Sequence, residues 1–117
     1  TLKNVRAGEA IVQGEPVYLH TDGKYYKADA SAQATAAAVG IALTPAATDG
    51  YFVMQSAGSV NLGATLAVGE LYVVSATAGK VAPFSDLATD DWVSVIGFAS
   101  STSLVLLQPS AKNIQAA

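Results

Sequence analysis

The side chains able to do chemistry are few and scattered. The chain has one histidine, His20, and no cysteine. His20 follows the apolar segment Pro16–Leu19 and precedes Asp22-Gly23, so it reads as a surface residue at a hairpin. A catalytic triad needs an activated nucleophile beside the histidine, and the sequence holds no nucleophile elbow. Without cysteine there are no disulfides, thiolate metal sites or thiol nucleophiles. Asp90-Asp91 beside Trp92 could hold a cation or a sugar, yet adjacent residues on an extended chain diverge. A calcium site also needs more oxygen ligands at proper spacing, so solvated turn carboxylates are the simpler reading. Glu15 and Glu70 stand in similar settings, Gly14-Glu15 and Gly69-Glu70, and would form an acid–base pair only if they faced each other. The stretch from Gly58 to Gly63 lacks the glycine spacing and following helix of a phosphate loop. Tyr25-Tyr26 between Lys24 and Lys27 looks superficially like a nucleic-acid patch. Asp22 and Asp29 flank it, and tyrosines on both faces of a strand are ordinary β composition. The expectation is a non-enzymatic protein with no catalytic, cofactor-binding or metal-binding residue and no cofactor.

Composition narrows the class further. The chain has 117 residues, 51% of them hydrophobic and only 13% charged, with a net charge of −3. That length fits one domain able to bury a core without staples. Intrinsic disorder needs low hydrophobicity and high net charge, and neither holds. The acidic balance argues against a basic nucleic-acid-binding surface. No apolar run reaches the ~18–20 residues of a membrane-spanning helix, and the stretch after Thr1 does not resemble a signal peptide. Alanine makes up about a fifth of the residues, which raises hydropathy without large sticky side chains; partner-covered exterior would account for the rest.

The elements that must carry any site are short strands. Helical periodicity is missing; the Ala-rich stretch Ala28–Ala38 has no large apolar face and reads as a loop with at most one short turn. Strands are expected at Ala10–Val12, Pro16–His20, Lys24–Ala28, Ala38–Leu43, Tyr51–Ser56, Leu71–Ser75, Val81–Pro83, Val93–Ala99 and Ser103–Gln108. Asp22-Gly23 predicts a type I′ hairpin turn, and Ala78-Gly79 is its counterpart.

The two halves also match each other. Gly8 to Leu19 falls on Gly63 to Val74 at an offset of 55, with Gly14 on Gly69, Glu15 on Glu70 and Ile11 on Leu66. Thr21–Tyr25 falls on Thr77–Val81, Val39-Gly40-Ile41-Ala42 on Ile96-Gly97-Phe98-Ala99, and Tyr51–Gln55 on Leu104–Gln108. Every change of offset falls in a loop. This order predicts an internal duplication: an all-β, single, compact barrel or sandwich-like domain with pseudo-twofold symmetry and little helix. Its parts would be an N-terminal arm at 1–6, one unit at 7–56, a second at 62–109 and a tail at 110–117. Gly14, Gly40, Gly69 and Gly97 read as structural glycines. The first of each pair turns the chain into a strand; the second, inside an apolar strand, marks a bulge or close backbone approach.

At these blocks the chain resembles a known family. The segments 7–11, 14–19, 22–28 and 38–43, with 62–66, 72–83 and 95–99, are similar to the capsid cement, or head decoration, proteins of tailed bacteriophages. The resemblance spans Ala7 to Gln108. It implies an all-β virion structural protein on the outer surface of the capsid, partnered by the major capsid protein and commonly a homotrimer, with no direct contact to nucleic acid or membrane. The long N-terminal arm of some members is represented here only by the first six residues. As an extended edge, Leu2, Lys3, Asn4, Val5 and Arg6 would add a strand to the capsid, with Lys3 and Arg6 meeting its carboxylates. Two alternatives remain at this stage: the capsid-binding base of a head fibre, and a carbohydrate- or surface-binding β-module using Trp92, Tyr25, Tyr26 and Tyr51.

Overall fold

A computed structural model describes residues 2–61, 66–75, 77–83 and 91–115, with side chains 33, 34 and 108–115 left aside. The chain forms two five-stranded antiparallel sheets. The first contains β1 (Leu2–Arg6), β2 (Pro16–Leu19), β3 (Tyr25–Lys27), β4 (Gly40–Ala42) and β5 (Tyr51–Gln55). The second contains β6 (Gly58–Asn61), β7 (Leu71–Val74), β8 (Val81–Pro83), β9 (Trp92–Ala99) and β10 (Leu104–Gln115). One turn of helix, α1 (Gln33–Ala36), interrupts the Ala-rich loop. The all-β expectation therefore holds, and the arrangement is sandwich-like.

Strand order in the first sheet is β1-β5-β4-β2-β3, and in the second β6-β10-β9-β7-β8. These are the same order with each number raised by five. Pairing matches residue by residue as well. Val17 opposes Lys27 and Gly40, as Tyr72 opposes Pro83 and Gly97. Val5 opposes Phe52, as Val60 opposes Val105. Gly14 N donates to Ala42 O and Gly69 N to Ala99 O, each at 2.8 Å. The match extends beyond 7–56 and 62–109, because β1 and β6 occupy equivalent edges. It departs at one seam: Ala42 opposes Met54, whereas Ala99 opposes Val105 rather than Leu107. That two-residue slide keeps every side chain on its proper face.

Alternation divides the core. One face of the first sheet, called inner here, buries Val5, Val17, Tyr25, Ala42, Phe52 and Met54, closed over by Ala7 and Ile11. The edges of this sheet meet beyond β1, where Ala7 bridges Tyr25 in parallel and Gly8 N donates to Tyr25 O at 2.8 Å. The outer-face residues Tyr18 and Ile41 join a second cluster with Val60, Tyr72, Val74, Ile96, Val105 and Leu107. Side chains of both sheets thus share one buried layer.

Several expectations are corrected. Ala10–Val12 is not a strand; Ile11 makes only an isolated bridge to Ala46. Leu2–Arg6 is not a free arm but a strand paired along its length with β5. Strand β6 was not anticipated, and β10 runs to Gln115 through the residues assigned to a tail. The first hairpin is not type I′. Only Gly23 has positive φ, at 85°, while Gly23 N bonds to His20 O and His20 N to Lys24 O. This is a three-residue loop with glycine in the left-handed position. Its counterpart, closed by Ser75 N to Lys80 O, has four residues, which explains the slip of one in the sequence match.

Candidate assembly surfaces

The five residues expected to dock on a partner lie on β1, at one end of the sheet order. Val5 is buried in the core and cannot take part directly. Leu2, Asn4 and Arg6 point outward, each opposite an outer-face residue of β5: Gln55, Val53 and Tyr51 respectively. Leu2 and Tyr51 are each 64% exposed. The surface is therefore a rim strand with apolar groups at its two ends.

A small ionic network holds this edge. Arg6 Nε donates to Asp49 O at 3.3 Å, and Arg6 Nη2 lies 3.8 Å from Asp49 Oδ1. Lys24 Nζ donates to the same Oδ1 at 2.7 Å, tying in the β2–β3 hairpin. The Lys24 bond and charge hold the Asp49 carboxyl below its ordinary range. Arg6 is thus engaged with Asp49 inside its own chain while about half of its side chain, 47%, stays exposed. Asp49 also has φ 67°, a conformation that aspartate tolerates better than most residues. It was not singled out in the sequence, although Asp49-Gly50 is a turn signal.

The β2–β3 hairpin carries an aromatic group on its outer face. Tyr18 and Tyr26 stand opposite each other with ring centroids 6.0 Å apart, and His20 lies 5.2 Å from Tyr26. Tyr26 OH donates to Asp22 Oδ2 at 2.7 Å. That bond pushes the Tyr26 phenol up to about 12 and lowers the Asp22 carboxyl. Tyr26 also lies over Gly8, where a Cβ would strike its ring. Asp22 Oδ1 accepts from Lys24 N at 2.8 Å, so the carboxylate serves the turn. His20 is a hairpin residue beside Asp22, with Nδ1 3.6 Å from Oδ1.

The other singled-out residues serve the scaffold or lie apart. Glu15 Oε1 accepts from Val12 N at 2.7 Å, capping its own turn. At the matching turn, Ala67 N donates instead to Tyr72 OH at 3.0 Å. The carbonyls of Glu15 and Glu70 accept from Ala42 N and Ala99 N, so both glutamates recur at backbone junctions. Glu15 also lines a cleft of about 310 Å³ with Val12, Leu66, Tyr72 and Lys80. Its carboxylate packs against Gly79. Tyr25 is in the core, edge-on to Phe52, and Tyr26 points to the opposite face. Tyr25 therefore cannot share an exposed sugar platform with Tyr26. Asp90 lies outside the described residues, as does Gly63; Trp92 opens β9 with its amide bonded to Ala30 O. Among the described residues no three acidic or histidine side chains gather as metal ligands.

The four structural glycines divide by cause. Gly14 and Gly69 have φ of 90° and 82°, turning the chain into β2 and β7. Gly40 and Gly97 are close approaches. A Cβ on Gly40 would lie 2.7 Å from Gln55 O, and one on Gly97 would collide with Leu106 O. The pairing of β7 with β9 slips beside Gly97, the irregularity expected there. No protein-family model matches this chain, and no curated protein matches it.

Proposed function

We propose that this chain is a non-enzymatic capsid decoration protein that binds the outside of a tailed-phage head and reinforces contacts between major capsid subunits. The observation that carries the reading is β1. It is an edge strand held in place by β5 and the Asp49 network, with Leu2 exposed on its outer face and Tyr51 exposed beside it on β5. An edge strand offers backbone donors and acceptors for an added strand, and the apolar ends supply area. The sequence resemblance set out above supports the same role and a homotrimeric state, and the matched sheets support an origin by internal duplication. A head-fibre base would use the same edge.

The test is the stability of expanded heads with and without the purified protein. Bound protein raises the temperature at which heads release DNA, and the shift saturates with added protein. An unchanged release temperature at saturating concentration would remove the proposal.

A further inference from the structure

The two units fill their inner faces differently. In the first, Ile11, Val17, Tyr25 and Phe52 close a core that contains two aromatic rings. The matching positions of the second are Leu66, Tyr72, Val81 and Val105, with a single ring. A cleft of about 310 Å³ lies on this thinner face, with Leu66, Tyr72 and Val81 in its wall. Ligand pockets run about 300–1,000 Å³, so this one suits a molecule no larger than an amino acid. The turn before β2 adds Glu15 to the cleft, and the β7–β8 hairpin adds Lys80. The ion pairs among the described residues belong to Arg6, His20 and Lys24, so Glu15 and Lys80 line one space without reaching each other. Glu15 Oε1 accepts from Val12 N, and Oε2 lies against Gly79 with no hydrogen-bond donor among the described residues. Tyr72 is only 6% exposed. Its hydroxyl accepts from Ala67 N, and its own proton has no acceptor among the described residues.

We propose that this cleft binds a free apolar α-amino acid. The ammonium group meets Glu15, the carboxylate meets Lys80 and the Tyr72 hydroxyl, and an aromatic or branched side chain packs on Leu66 and Val81. The charges of the occupant follow from desolvation. A ligand that fills the space strips water from the half-buried Glu15 carboxylate, and a buried charge left without a partner is costly. A simple acid would set a second anion beside that carboxylate. A simple amine would leave Lys80 and the phenol proton unanswered. Lys80 is exposed and keeps its ammonium group in water, so the contact to Glu15 contributes more than the contact to Lys80. None of the lining residues is on β1, so occupancy of the cleft is independent of the capsid contact proposed above.

Nuclear magnetic resonance titration of the full chain with three probes of one shape separates these contacts. Phenylalanine binds most tightly, phenethylamine less tightly and 3-phenylpropionate least, with the largest amide shifts at Gly79 and Lys80. Glu15→Gln keeps an oxygen for Val12 N and weakens phenylalanine by about tenfold, the worth of a hydrogen bond to a charged group. Lys80→Gln weakens phenylalanine and leaves phenethylamine unchanged. Val81→Phe restores the missing ring, abolishes binding and retains the far-UV circular dichroism. If Val81→Phe fails to fold, the probe ranking and the two charge variants still decide. No saturable shift with phenylalanine up to its solubility limit, or shifts centred away from the cleft, would overturn the proposal. So would 3-phenylpropionate binding as tightly as phenylalanine, or an affinity that Glu15→Gln leaves unchanged.

Discussion

Gly97 lies directly against the carbonyl oxygen of Leu106, with no room between the strands for a methyl group. The obstacle is backbone on the neighbouring strand, which cannot swing aside as a side chain would. Gly97→Ala is therefore expected to destabilise the fold by about 3 kcal/mol, the upper part of the range for overpacking. Gly69→Ala meets open space and suffers only its positive φ, costing about 1 kcal/mol. Urea unfolding of both variants checks the ranking. Equal losses would mean the strands can separate freely at β9–β10.

The hairpin carboxylate and phenol define a pH signature. With its folded value raised to about 12 from 10, Tyr26 contributes stability that is fully present below pH 10. That contribution disappears as pH rises through 12, because the unfolded tyrosine ionises first. Asp22 and Asp49 have lowered values. Their contributions are present above the ordinary carboxylate range and vanish as pH falls through the lowered values. Tyr18 beside Tyr26 is also raised, chiefly by burial, so ultraviolet titration of the wild type against Tyr26→Phe and Asp22→Asn is expected to resolve a Tyr26 component at the late-ionising end. It disappears in the first variant and moves down in the second.

Ser94 is fully buried on β9, and its hydroxyl has no hydrogen-bond partner among the described residues. Removing an unsatisfied buried hydroxyl eliminates its desolvation cost. Ser94→Ala should raise stability by about 1 kcal/mol, measured by the shift in urea midpoint at constant slope. A loss of that size instead would show that the hydroxyl is bonded.

Much of this architecture is written in local patterns. The Gly14 and Gly69 turns, the hairpin glycines and the Val-Gly-Ile-Ala and Ile-Gly-Phe-Ala strands announce themselves because backbone geometry permits few alternatives there. The equivalence of β1 and β6 was hidden. Leu2-Lys3-Asn4-Val5-Arg6 and Ala57-Gly58-Ser59-Val60-Asn61 share only the valine, since an edge strand needs one inward apolar residue and tolerates almost anything elsewhere. Ile11 misled for a related reason. Its burial comes from plugging the core between turns, and a buried plug has the same local composition as a short strand. The Asp49 network depends on bringing β1 and the β2–β3 hairpin to the same loop, which local sequence does not encode.

Leu2 and Tyr51 are well exposed on the outer face of the β1 edge, and neither packs in the core. Leu2→Glu with Tyr51→Glu is expected to change folding stability by no more than about 0.5 kcal/mol. The same pair should weaken head binding at least tenfold, read by co-sedimentation. Asp49→Asn, which tolerates the left-handed backbone but removes the carboxylate charge, isolates the exposed ion pairs; urea unfolding is expected to show a small loss that added salt also produces in the wild type.

The most direct measurement of the proposed decoration role is an electron cryomicroscopy comparison of expanded tailed-phage heads with and without the protein. The account predicts extra density of the chain's dimensions, 35 × 29 × 19 Å per copy, outside the shell at repeating lattice positions. Identical shells in the two maps, at protein concentrations that saturate any binding seen in solution, would contradict it.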